Sequence, residues 1–135
     1  MTGEDFAKAE TWLDESLFAQ ELLKRSYMRE KTLKALLYHS WSERTTFEEI
    51  SKSLKIQQAG AWKCWKRGAD SIMKSFFTLK LALYAGVLDM ETAQIMLDDL
   101  LDYVSLARGE GNREEIGERI ELRLRELIKI FEKKR

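Results

Sequence analysis

The chain contains no proline in 135 residues, where average usage would supply about 5%. Proline lacks a backbone donor, breaks helix interiors and marks many loops. A chain without it is free to be helical along most of its length, with short connections. Its apolar residues use that freedom. They recur at steps of three and four, the helical period, and nowhere alternate as a strand requires. The expected fold is therefore all-α: a five-helix bundle with a short helix 2 and a long central helix 3. Residues 1–135 are expected to form a single domain, a length close to the commonest for one core.

The pattern places the five helices as follows. The first spans about Glu4 to Tyr38, with Phe6, Ala9, Leu13 and Leu17 in one row and Ala19, Leu22, Leu23 and Tyr27 continuing it. The second spans Phe47 to Leu54. Thr46 and Glu49 have the spacing of a capping box, in which each side chain reaches the other's backbone N–H. The third spans Gln58 to Ala85, with a seam of Trp62, Trp65, Ala69, Ile72, Phe76, Leu79 and Leu83 at heptad-like steps. Gly86 stops it. Asp89 caps the fourth, Met90 to Ala107, whose inner face is Ala93, Met96, Leu97, Leu100, Val104 and Ala107. Asn112 caps the fifth, Arg113 to Lys133, whose inner face is Ile116, Ile120, Leu124, Leu127 and Phe131.

Several chemistries are excluded by residue supply. Cys64 is the only cysteine and His39 the only histidine. No intramolecular disulfide, no zinc cluster of the usual ligands and no histidine pair can form. No apolar run approaches the roughly 20 residues that cross a bilayer. The first residues, Met1 to Phe6, are polar and acidic, unlike a signal peptide. The expectation is a cytoplasmic protein with no membrane contact. Asn112 is the only asparagine and Glu, Lys and Arg abound, a composition that resembles hyperthermophile proteins. The net charge is zero but uneven. Residues 43–85 hold four acids and eight bases, while 86–135 hold twelve acids and nine bases. A local basic surface in the middle third is the one electrostatic footprint on offer.

That third contains the most specific local pattern. Ile50, the small Ser51, Leu54 and Ile56 stand where the core residues of a two-helix DNA-reading unit fall, and residues 29–37 can supply a supporting helix. Residues 46–68 resemble helix-turn-helix DNA-binding proteins. The resemblance implies that the third helix is a recognition helix, with Trp62 and Trp65 on its buried face. Gln57, Gln58, Lys63, Lys66 and Arg67 are then the nucleic-acid-binding residues. Gln pairs with adenine edges, and Lys and Arg meet guanine or phosphate. Lys55 departs from the pattern, which has Gly in the turn, and Asp70 interrupts the basic face.

Other candidates are weaker in their own terms. Asp98 and Asp102 share a helix face with Asp99 between them, as carboxylates that hold Mg²⁺ in all-α nucleotide pyrophosphatases do. A second acidic motif to oppose them is missing, so solvated acids are expected. The stretch Leu33 to Leu37 at the end of the first helix is similar to helical domains of the HEPN type. Ribonucleases of that type place Arg a few residues before His, whereas Arg29 stands ten residues before His39. Cys64 lacks a neighbouring base and is expected to be a passive thiol. The run Lys133, Lys134 and Arg135 suits a helix C-terminus. No catalytic residue, metal or cofactor is assigned. The expected partners are double-stranded DNA and a second copy of the chain or another helical protein. The competing expectation is a non-catalytic interaction or assembly subunit. A Mg²⁺-dependent nucleotide hydrolase and an inactive HEPN-like domain stand third.

Overall fold

Helix boundaries in this chain are set by caps, and most of them lie where local chemistry places them. The computed structural model describes residues 2–133. Among these, seven helices and no strand are found: α1 (Thr2–Glu15), α2 (Leu17–Arg25), α3 (Glu30–Trp41), α4 (Phe47–Leu54), α5 (Gln58–Tyr84), α6 (Met90–Arg108) and α7 (Arg113–Lys133). Lys134 and Arg135, the end of the basic run, lie outside the described residues. The all-α class holds, and the five-helix count does not.

The difference lies in the expected first helix, which is three helices. Ser16 leaves helical geometry, and its side chain caps α2 by accepting from Ala19 N at 3.2 Å. The Gln20 amide donates to the Leu13 and Asp14 carbonyls at 3.0 and 2.8 Å, satisfying the end of α1. Ser26 then closes α2: its hydroxyl donates to the Leu23 carbonyl and accepts from Met28 N. Serine side chains compete with the helix for backbone partners, and here they win. Leu17 and Tyr27, expected in the buried row, are consequently exposed.

The described residues divide into two compact units whose boundary falls within α5, one ending at Phe77 and the other beginning at Thr78. The core of the first unit gathers Phe6 and Ala9 of α1, Ala35 and Tyr38 of α3, Ile50 and Leu54 of α4, and Ala61 of α5. Tyr38 is central. Its ring stacks on Phe6 with centroids 4.2 Å apart, and its hydroxyl donates to Glu10 Oε1 at 2.6 Å. Burial, reinforced by the Glu10 carboxylate, pushes its ionisation well above the ordinary phenol range.

α5 seats on α3 through small residues. Gly68 is buried, and a methyl group built there would stand 2.7 Å from Leu36 Cδ1 and 3.0 Å from Thr32 Cγ2. The buried stripe of α5 is thus Ala61, Cys64, Trp65 and Gly68, at steps of three and four. Trp62, expected on that face, is 46% exposed and lies outside the stripe. Farther along, every residue from 72 to 81 is exposed, including Ile72, Phe76 and Leu79 of the expected seam.

In the second unit, Asp89 caps α6 by accepting from Thr92 N at 2.8 Å. Gly109, at φ 69°, ends α6 in the left-handed conformation that Gly adopts without strain. Asn112 accepts from Glu114 N and Glu115 N and starts α7. The two helices form an antiparallel hairpin around Leu88, Thr92, Ile116 and Ile120, the four buried residues described in this unit. Leu97, Leu100 and Val104, expected on the inner face of α6, are exposed instead. Asp99 and Asp102 of α6 face α7, where Arg119 and Arg123 reach them.

The close approach at Gly68 is testable. Gly68→Val should lower the unfolding free energy by about 2 kcal/mol, the order of cost for overpacking a core, read by urea denaturation. Gly60→Ala, where an added methyl meets only ordinary contacts with Ile56, should not.

Candidate nucleic-acid interface

α3, α4 and the first turns of α5 enclose a single packed corner. Thr46 caps α4 by accepting from Glu49 N at 3.2 Å. Ile50, Ser51 and Leu54 are buried and Ile56 is half-buried. The Ser51 hydroxyl is satisfied by the Glu48 carbonyl at 2.6 Å. Ile50, Ser51, Leu54 and Ile56 thus lie on the inner side of this corner. An aromatic trio ties the corner together. His39 of α3 stacks on Phe47 of α4 at 5.6 Å and meets Trp65 of α5 at 5.1 Å, while Phe47 meets Trp65 edge-on at 6.0 Å. His39 thus serves packing between helices, and half-buried Cys64 packs against the same core.

The turn between α4 and α5 carries the most diagnostic backbone. Lys55 sits at φ 60°, ψ 42°, the only non-glycine residue with positive φ among the described residues. Its N–H donates to the Lys52 carbonyl, and Ile56 N donates to the Ser51 carbonyl at 3.0 Å. This is the left-handed helix stop that usually takes Gly. Lys55 takes this conformation although it is not a glycine.

Gln57, Gln58, Lys63, Lys66 and Arg67 are all exposed. Helical spacing puts Lys63, Lys66 and Arg67 on the side opposite Ala61, Cys64, Trp65 and Gly68. Gln57 and Gln58 lie at the start of α5, whose first turn contains no acidic residue. Lys66 pairs with Asp70 at 3.0 Å, so that charge is partly neutralised. Lys63 and Arg67 have no carboxylate at ion-pair distance among the described residues. Trp62 joins this outward side, and with Phe47, Gln58, Ala59 and Lys63 it lines a shallow depression. Reading the seam by side-chain size missed Trp62; the small residues Ala61 and Gly68 at a spacing of seven were the available signal.

The acidic cluster of α6 belongs to the hairpin. Asp102 is bound by two cations of α7: Arg119 Nη2 reaches it at 3.0 Å and Arg123 Nη1 also donates to it. These hydrogen bonds hold its carboxyl at about 2, below the ordinary 3.8. Asp102 is thus not the solvated acid its spacing suggested. Arg119 and Arg123, four residues apart on α7, are the complement to Asp102, and Arg123 also reaches Asp99. Asp99 lies 3.6 Å from Arg123, and burial raises its ionisation against that attraction. Asp98 accepts from the Gln94 amide at 2.9 Å on the surface. Among the described residues no three His, Cys, Asp or Glu side chains gather as metal ligands, and no helix is long and apolar enough to cross a membrane.

Comparison of the chain with protein-family models, curated proteins and solved structures found no match.

Two outcomes follow from this geometry. Lys55→Gly should raise stability by about 1 kcal/mol by removing a left-handed non-glycine residue, whereas Lys55→Val should lower it; chemical denaturation reads both. Asp102 is ionised more readily folded than unfolded. Its stabilisation is present above the ordinary carboxylate range and is lost as pH falls toward about 2. Asp99, shifted upward, acts in the opposite sense. The thermal midpoint of Asp102→Asn should therefore fall less than that of the parent chain between about pH 5 and pH 2, followed by circular dichroism.

Proposed function

We propose that this protein binds double-stranded DNA through residues 46–68, in the manner of a helix-turn-helix transcriptional regulator. The observation that supports the reading most is the left-handed stop at Lys55. It joins the short α4, which buries Ile50, Ser51 and Leu54, to the long α5, whose outward side presents Lys63, Lys66 and Arg67 and whose start carries exposed Gln57 and Gln58. A helix with its side chains is about 10–12 Å across, and the major groove is about 12 Å wide. Lys63 to Arg67 spans about 6 Å of helix axis, suited to neutralising phosphates along one strand. Gln57 and Gln58, at the N-terminal end, are the candidates for base edges, since recognition helices read with their first residues. Two copies would let weak half-site contacts reinforce each other.

A second reading, a non-catalytic assembly subunit, is favoured by a different observation. The stretch 72–81 of α5 carries Ile72, Met73, Leu79 and Leu81, all exposed. A helix apolar on several sides normally lies inside an assembly.

Titration of labelled duplex DNA at several salt concentrations separates the two. Binding should weaken with salt, and Lys63, Lys66 and Arg67→Ala together should weaken it by about tenfold or more and reduce the salt slope by about 2–3. No binding at low salt would sink the DNA reading and leave the assembly subunit.

A further inference from the structure

The α6–α7 hairpin has two unlike sides. On one side Asp102 is held by Arg119 and Arg123, with Asp98 beside them. The row of α6 that follows the contact with α7 in the opposite sense is Ala93, Leu97, Leu100, Val104 and Ala107. The corresponding row of α7 holds Leu124, Ile128 and Phe131. In right-handed helices that run antiparallel, these two rows fall on the same side of the pair. Leu97, Leu100, Val104, Leu124, Ile128 and Phe131 are each between 37% and 56% exposed. The hairpin therefore presents an uncharged apolar face opposite a charged one.

We propose that this face docks on the same face of a second copy of the chain, forming a four-helix bundle about a two-fold axis. The proposal rests on the dimeric part of the reading above and not on DNA binding. Three observations select a second copy as the occupant. The first is area. The six side chains expose on the order of 500 Å² per copy, about 1,000 Å² across a pair, which is short of the roughly 1,200 Å² at which stable interfaces begin, so Ala93, Ala107 and the flanking side chains must supply the remainder. The second is the small core of this unit, four buried residues among those described, so the apolar face is a large remaining reserve of hydrophobic burial. The third is self-complementarity. The α6 row is small at Ala93 and Ala107, large between them, and nearly symmetric about Leu100, so it fits itself when run antiparallel. The edges carry both signs, as in the Glu121–Arg125 pair at 3.3 Å, so apposition of identical faces brings no block of like charge together.

Sedimentation of the full chain without DNA should show twice the 15.8 kDa of one copy at micromolar concentration. Leu100→Asp should sediment as a monomer with its helical circular dichroism retained. In a Cys64→Ser background, Leu100→Cys should form a disulfide-linked pair under mild oxidation, and Asp98→Cys, on the charged side, should not. This arm decides the matter if Leu100→Asp fails to fold. A monomeric parent chain, a Leu100→Asp variant that stays dimeric, or equal cross-linking at positions 98 and 100 would overturn the proposal. DNA affinity is read separately. A monomer that binds duplex defeats this proposal and leaves DNA binding standing, whereas a cross-linked dimer that ignores DNA does the reverse.

Discussion

The close approach of α5 to α3 at Gly68 is the constraint that sets which way the basic side of α5 faces. Backbones approach closely only where side chains are small. Gly68, with Ala61 one heptad before it, lets α5 lie against Thr32, Ala35 and Leu36. That approach fixes the rotation of α5 about its axis. Once Ala61 and Gly68 face inward, Lys63, Lys66 and Arg67 have no choice but to face outward, and Trp62 is turned out with them. The basic surface is thus a geometric consequence of two small residues rather than of the aromatic ones. Trp65 contributes from the edge of the stripe, where it locks α3, α4 and α5 through His39 and Phe47.

Much of the helix order was legible because caps are local. Thr46, Asp89, Gly86, Gly109 and Asn112 each act within a few residues, and α4 to α7 begin and end where those residues imply. The first helix was not legible in the same way. Phe6 to Tyr27 keeps an apolar row at helical steps across Ser16, and nothing in periodicity shows a serine hydroxyl taking over Ala19 N. The choice between continuing a helix and capping a new one turns on about 1 kcal/mol, and the packing of α1 on α3 through Phe6 and Tyr38 settles it. Residue size misled in α5 for a related reason. Hydrophobic scales weigh Trp and Phe heavily and Gly hardly at all, yet a helix crossing can require the smallest residue.

The candidate interface was legible in its parts and illegible in its turn. The exposed Gln, Lys and Arg positions follow from counting around a helix. Lys55 did not announce a left-handed backbone, because lysine carries no preference for it. Similarly, Asp98 and Asp102 advertised a shared face, but the use of Asp102 became clear only with Arg119 and Arg123 across the hairpin. Pairing at a sequence separation of about twenty is set by the four-residue turn from Gly109 to Asn112, which places the end of α6 beside the start of α7.

The small core of the α6–α7 unit has a thermodynamic consequence. Four buried side chains, one of them a threonine, leave little hydrophobic free energy to oppose the conformational entropy of two long helices. Were a second copy to cover the apolar face as proposed, the folding of this unit would be linked to association by mass action, and its melting temperature would depend on protein concentration.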